Sequence, residues 1–143
     1  MRLLIAALAL MLLAAPASAE ELSLDGEILQ EPICFMLRNT AEHKVYGTFS
    51  TNYYVTPDGT QARHRSNFQL DQVGAKDAEG YPADAAEFCS YGPFFEGRKL
   101  ELVLRTLFPI FDCYTKVDAG EIVIKSKRNA SDSGFDVWAE CRE

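Results

Sequence analysis

Histidine is scarce in this chain, with two in 143 residues, and there is a single tryptophan. Two imidazoles, His43 and His64, cannot supply the three or four converging N, S or O ligands of a zinc centre, so no metal is expected. Basic residues are also few. Fourteen Lys+Arg stand against 21 Asp+Glu, a net charge of −7. A nucleic-acid partner needs the opposite, cationic side chains that displace phosphate counterions, and anionic lipid is disfavoured on the same ground. Nine Gly and six Pro are too few for a low-complexity linker. No Gly-rich phosphate loop, G-x-S-x-G elbow or H-E-x-x-H helix occurs, and no cofactor is expected. What remains is an ordinary globular composition, 48% hydrophobic and 24% charged, sized for one domain.

The N-terminus carries the one long apolar run. Arg2 precedes Leu3 to Ala15, followed by Pro16 and the small residues Ala17-Ser18-Ala19. This order is that of a cleaved secretory signal peptide, residues 1–19. The run is short of the ~20 residues that span a bilayer, and no later segment of the mature chain qualifies. The expected mature protein is a single β domain, residues 20–143, periplasmic or secreted after cleavage near Ala19. Loss of Arg2 takes its charge to −8.

The four cysteines are Cys34, Cys89, Cys113 and Cys141. None forms C-x-x-C, and an even count in an exported chain usually means disulfides. Four cysteines allow three connectivities. The expectation is Cys34–Cys89 with Cys113–Cys141, the second from strand parity and the first as the remainder.

The dominant period is two. In residues 44–56, Val45, Gly47, Phe49, Thr51, Tyr53 and Val55 fall on one side; Tyr46, Thr48, Ser50, Asn52, Tyr54 and Thr56 fall on the other. Residues 61–71 alternate likewise, with Ala62, His64, Ser66, Phe68 and Leu70 opposite Arg63, Arg65, Asn67 and Gln69. Thr56-Pro57-Asp58-Gly59 between them is a strong turn. A four-residue loop pairs Val45 with Leu70 and Phe49 with Ser66, so both apolar sets share a face. A three-residue loop, Pro57–Gly59, slips the pairing by one. Burial favours the first.

Residues 98–108, 121–127 and 135–141 alternate in the same way, and Pro109 marks a bend or an edge. After it, Phe111, Cys113, Thr115 and Val117 share a face; Cys141 lies with Phe135, Val137 and Ala139. In a simple meander, the strands carrying Cys113 and Cys141 would lie ~9.5 Å apart. That exceeds the ~7 Å limit for a bridge, so one of these strands must change sheets. Residues 22–29 and 33–39 supply one or two more strands. The single helix candidate is Tyr81–Phe88. The expected fold is all-β, an antiparallel sandwich of about seven short strands, immunoglobulin-like by architectural analogy, with a small barrel as the alternative.

Few constellations carry chemistry. His64 is a weak candidate for a catalytic base, since no orienting acid is visible beside it. His43 reads as surface. Asp71, Asp77, Glu79 and Asp84, in and beside a long loop, lack a calcium-loop order. Phe94 and Phe95 in Tyr91–Gly97 read as lids on the core. Asn129-Ala130-Ser131 fits a glycosylation sequon. The expected binding face is the outer side of the hairpin: Tyr46, Asn52, Tyr54, Arg63 and Arg65, a positive island on an acidic protein. Arginine forks onto carboxylate or sulfate, and tyrosine adds a flat contact of low entropy cost. The expectation is a non-catalytic binding or inhibitory protein whose partner is a protein or envelope glycan. A small hydrolase or lyase using His64 and a structural subunit assembling through sheet edges are the alternatives.

Overall fold

A computed structural model of the chain describes residues 26–130 and 134–141. The expected leader, residues 1–19, and Ser131 of the sequon lie outside them. The described residues form ten strands and no helix: β1 Ile33–Asn39, β2 Val45–Ser50, β3 Tyr54–Val55, β4 Gln61–Ala62, β5 Arg65–Leu70, β6 Ala85–Ser90, β7 Lys99–Arg105, β8 Pro109–Lys116, β9 Glu121–Arg128 and β10 Phe135–Ala139. Two four-stranded sheets, β10-β9-β1-β6 and β5-β2-β7-β8, form a sandwich, and the short pair β3-β4 extends the β2–β5 hairpin. Neither sheet closes into a barrel. Pairing is antiparallel except between β1 and β9, which run parallel with Leu37 opposite Ile122.

Period-two alternation builds the core. Phe35 and Leu37 of β1, Val45 and Phe49 of β2, Phe68 and Leu70 of β5, and Leu100, Leu102 and Leu104 of β7 all turn inward, joined by Ile122 and Ile124 of β9. Phe35 of one sheet meets Phe49 of the other edge-on at 4.9 Å. Phe94 is buried, and Phe95 packs edge-on against Tyr114 at 4.7 Å. At the β7–β8 turn, Leu107 and Phe108 are exposed, and Pro109 opens an edge strand.

Tyr81–Phe88 is not helical. Ala85–Ser90 is an edge strand whose Phe88 lies opposite Phe35. Burial of Ala86 and Phe88 against β1 overrides a local composition that a helix would also accept. The preceding loop folds back on itself: Asp71 N–H donates to Ala83 O, Asp77 N–H to Tyr81 O, and Gly74 N–H to the carboxylate of the buried Asp84 at 2.8 Å. Among the described residues no three His, Cys, Asp or Glu side chains gather as a metal site.

The disulfides are Cys34–Cys89 and Cys113–Cys141. The first joins directly opposed residues of β1 and β6 on the outer face of their sheet. The second ties β8, in one sheet, to the residues just after β10, in the other, with a Cα separation of 6.4 Å. The change of sheet that this pairing requires occurs between β8 and β9. Restricting the unfolded chain over 55 and 28 residues contributes about 4 kcal/mol for each bridge on a chain-entropy basis.

The β2–β5 hairpin uses both registers that the sequence allows. From Val45–Leu70 to Ser50–Arg65 the pairing is that of the longer loop. At the tip, Tyr54 pairs with Ala62 and Val55 with Gln61, the register of the shorter loop. The two are reconciled by a bulge. Thr51 N–H donates to His64 O; beyond that rung Asn52 and Tyr53 together oppose Arg63. The turn is closed by the Asp58 carboxylate, which accepts from the Thr56 hydroxyl and the Thr60 N–H. These bonds, that of Thr56 first, hold its pKa below the ordinary carboxylate value.

Two interior positions make opposite predictions. Gly47 is a glycine because Phe68 lies across it: an added Cβ would meet the ring at 2.2 Å and Val103 O at 2.6 Å. Gly47→Ala should cost about 3 kcal/mol in denaturant unfolding. Thr115, wholly buried opposite Leu100, has a hydroxyl with no hydrogen-bond partner among the described residues. Thr115→Val keeps the shape and removes the unsatisfied oxygen, and should stabilise by about 1 kcal/mol, seen as a Tm rise of several degrees.

Candidate functional site

The outer face of the β5-β2-β7-β8 sheet is built from the residues between the core positions. Strand β2 presents Tyr46, Thr48 and Ser50; β5 presents Arg65 and Asn67; β7 presents Glu101, Val103 and Arg105; β8 presents Asp112. Register sets them in rows: Arg65–Ser50–Glu101, Asn67–Thr48–Val103–Asp112 and Tyr46–Arg105. Thr48, Ser50 and Val103 are only 6, 2 and 7% exposed although they point outward. The longer side chains around them stand over these small residues. The result is a groove of about 560 Å³ whose floor is Thr48, Ser50 and Val103. Its walls carry Arg63, Arg65 and Arg105, with Asn67, Glu101 and Asp112. The Thr48 hydroxyl donates to Asn67 Oδ1 at 2.9 Å, fixing the floor to one wall.

The three arginines differ in commitment. Arg63 is ion-paired to Glu101, with side-chain exposures of 13 and 18%, and its guanidinium lies 5.1 Å from the centre of the Tyr53 ring. Its Nε is buried and has no hydrogen-bond partner among the described residues. Arg65 and Arg105 enter no ion pair with any described residue. Three guanidinium groups against two carboxylates leave the groove locally cationic on a chain of net charge −7.

Of the residues expected on the binding face, the structure brings Arg63 and Arg65 together in this groove. Tyr46 is on the same face but lines a neighbouring hollow with His43, Arg105, Ile110 and Val137. Asn52 is drawn off by the bulge, its N–H donating to Pro93 O. Tyr54 is turned to the other side and stacks on His64 at 4.9 Å; Tyr53 takes the place beside Arg63. The reason is parity, since one extra residue inverts every side chain beyond it. Glu101, Arg105 and Asp112 are functional candidates that the hairpin alone does not suggest. Their signal is the alternation of residues 98–108, which sets Glu101, Val103 and Arg105 opposite three leucines, but nothing local says that β7 pairs with β2.

His64 is exposed, its backbone N–H donating to Thr51 Oγ1 at 3.0 Å. No carboxylate or tyrosine hydroxyl among the described residues bonds its imidazole. His43, read from the sequence as surface, is half-buried: its ring lies 4.6 Å from Phe135 and its Nδ1 is buried without a partner among the described residues. Compared with protein-family models, curated proteins and solved structures, the chain finds no match in any of the three. The reading of the site therefore stands on its geometry.

The Arg63–Glu101 pair is sheltered enough to be tested by a double-mutant cycle. Arg63→Ala and Glu101→Ala should each destabilise, and the double variant should fall short of their sum by about 1–2 kcal/mol, between the surface and fully buried limits.

Proposed function

We propose that this is an exported, disulfide-stabilised, non-catalytic binding protein. Its groove on the outer face of the β5-β2-β7-β8 sheet takes an anionic polymer of the cell envelope or extracellular space. The observation that carries this reading is the pair of uncommitted cations: Arg65 and Arg105 stand at opposite ends of a groove whose third arginine is already neutralised by Glu101. A guanidinium presents a rigid fork of donors that matches the two oxygens of a carboxylate or sulfate. Thr48 and Ser50 on the floor give the ligand's backbone or hydroxyl groups a hydrogen-bonding surface between the two charges. Glu101 and Asp112 limit net attraction, so recognition depends on the spacing of negative groups along the ligand rather than on bulk charge. Export is supported by the leader-like residues 1–19 and by two disulfides, which persist in oxidising compartments.

The test is retention on two immobilised probes, poly-glutamate and a sulfated polysaccharide, at several salt concentrations. Wild type should bind one or both with salt-dependent affinity, and Arg65→Ala/Arg105→Ala should lose at least about tenfold on the bound probe, 1.4 kcal/mol or more. The preferred probe identifies a protein or a glycan as the partner class. Equal retention of wild type and double variant, or retention of neither on both probes, ends the proposal.

A further inference from the structure

On the other side of β5 from the arginine groove, the two sheets part around a cavity of about 260 Å³. Its floor is aromatic. The Phe35 ring meets Phe49 edge-on at 4.9 Å, and Phe88 stacks 6.0 Å from Phe35 and lies 5.6 Å from Phe49. The space exists because apolar alternation stops one rung early on both edge strands. Inward positions on β5 run Leu70, Phe68, then Ser66; on β6 they run Ala86, Phe88, then Ser90. A leucine at either last position would close the core. Two hydroxymethyl groups leave it open and put oxygen at the mouth.

The polar groups there are not equally occupied. Ser90 Oγ accepts from Gly92 N–H at 3.1 Å, and the Thr51 hydroxyl accepts from His64 N–H and donates to Asn52 O. The Ser66 hydroxyl and the His64 imidazole have no hydrogen-bond partner among the described residues, and both face the cavity. The His64 ring rests on Tyr54, stacked at 4.9 Å, which holds it in place for a ligand. Among the described residues no Asp, Glu, Lys or Arg lines the space.

An aromatic floor, uncommitted polar groups at the opening with Ser66 and His64 among them, and no charged wall among the described residues select a neutral ring bearing one hydrogen-bonding group. An apolar cavity of about 150 Å³ holds benzene, so this one has room for one or two rings. The geometry points to a binding site for a neutral phenol- or indole-class small molecule, its ring on Phe35, Phe49 and Phe88 and its hydroxyl or N–H at Ser66 and His64. The site borders the arginine groove at Ser50, which lines both, but neither Arg65 nor Arg105 lines it.

The test is a titration of the disulfide-intact protein with p-cresol and with indole, followed by amide NMR. Saturable shifts should centre on Ser66, Phe88, Ser90 and His64. Ser66→Leu, which fills the cavity, should weaken binding at least about tenfold while the spectrum stays dispersed. His64→Ala should weaken p-cresol at least about threefold and leave toluene unchanged, a contrast that loss of folding would not produce. Arg65→Ala/Arg105→Ala should bind both probes as wild type does. The inference is overturned by no saturable shift with either probe, or by shifts centred elsewhere. Undiminished binding by Ser66→Leu, or equal loss of p-cresol and toluene in His64→Ala, also overturns it. N-acetyl-tyrosinamide binding at least about tenfold tighter than p-cresol would assign the cavity to a partner's side chain and overturn the small-molecule reading.

Discussion

Contact between the inward faces of two sheets is the constraint on which everything else here depends. Phe35 against Phe49, with the leucines of β7 and the isoleucines of β9 behind them, makes each strand commit every second residue to the interior. Once that commitment is made, the residues between have no freedom of side. Arg65, Glu101 and Arg105 share a surface because Phe68, Leu102 and Leu104 share a core. The arginine groove is thus a by-product of packing as much as a feature of the surface.

The same constraint explains the cysteines. A covalent bridge between sheets needs two residues that both point inward and whose strands lie in different layers. Cys113 and Cys141 meet both conditions because β8 belongs to one sheet while β9 and β10 belong to the other. Cys34 and Cys89 meet a different condition, direct opposition across one antiparallel ladder, and they point outward. The two bridges therefore restrain different things: one holds the layers together, the other holds an edge strand to its neighbour.

Much of this was legible in the sequence wherever two residues of spacing decided the outcome. The pairing of Val45 with Leu70 follows from matching two apolar sets, and so do the inward leucines of β7. What spacing could not reveal was which strands, distant in sequence, become neighbours. Alternation puts Glu101 and Arg105 on one side of β7, but only the placement of β7 beside β2 makes that side part of a groove. Ala85–Ser90 misled for a related reason: two alanines and a glutamate suit a helix, and only the partner strand, carrying Phe35, makes extended backbone the better solution. Tyr54 is the third kind of failure. Both loop lengths at Thr56–Gly59 were visible, but the chain uses one register at the base and the other at the tip, and a local pattern gives no means of choosing both.

That bulge has a consequence for how the molecule can change. Asn52 and Tyr53 against Arg63 is a surplus of one residue, and it decides which tyrosine stands over the guanidinium and which lies against the imidazole. Moving that surplus out of the bulge and into the Thr56–Gly59 turn would bring the two ladders into a single register and exchange the two rings. The aromatic neighbour of each hollow would be replaced without touching a core side chain. The rung at which the extra residue is taken up thus acts as a lever on two surfaces at once.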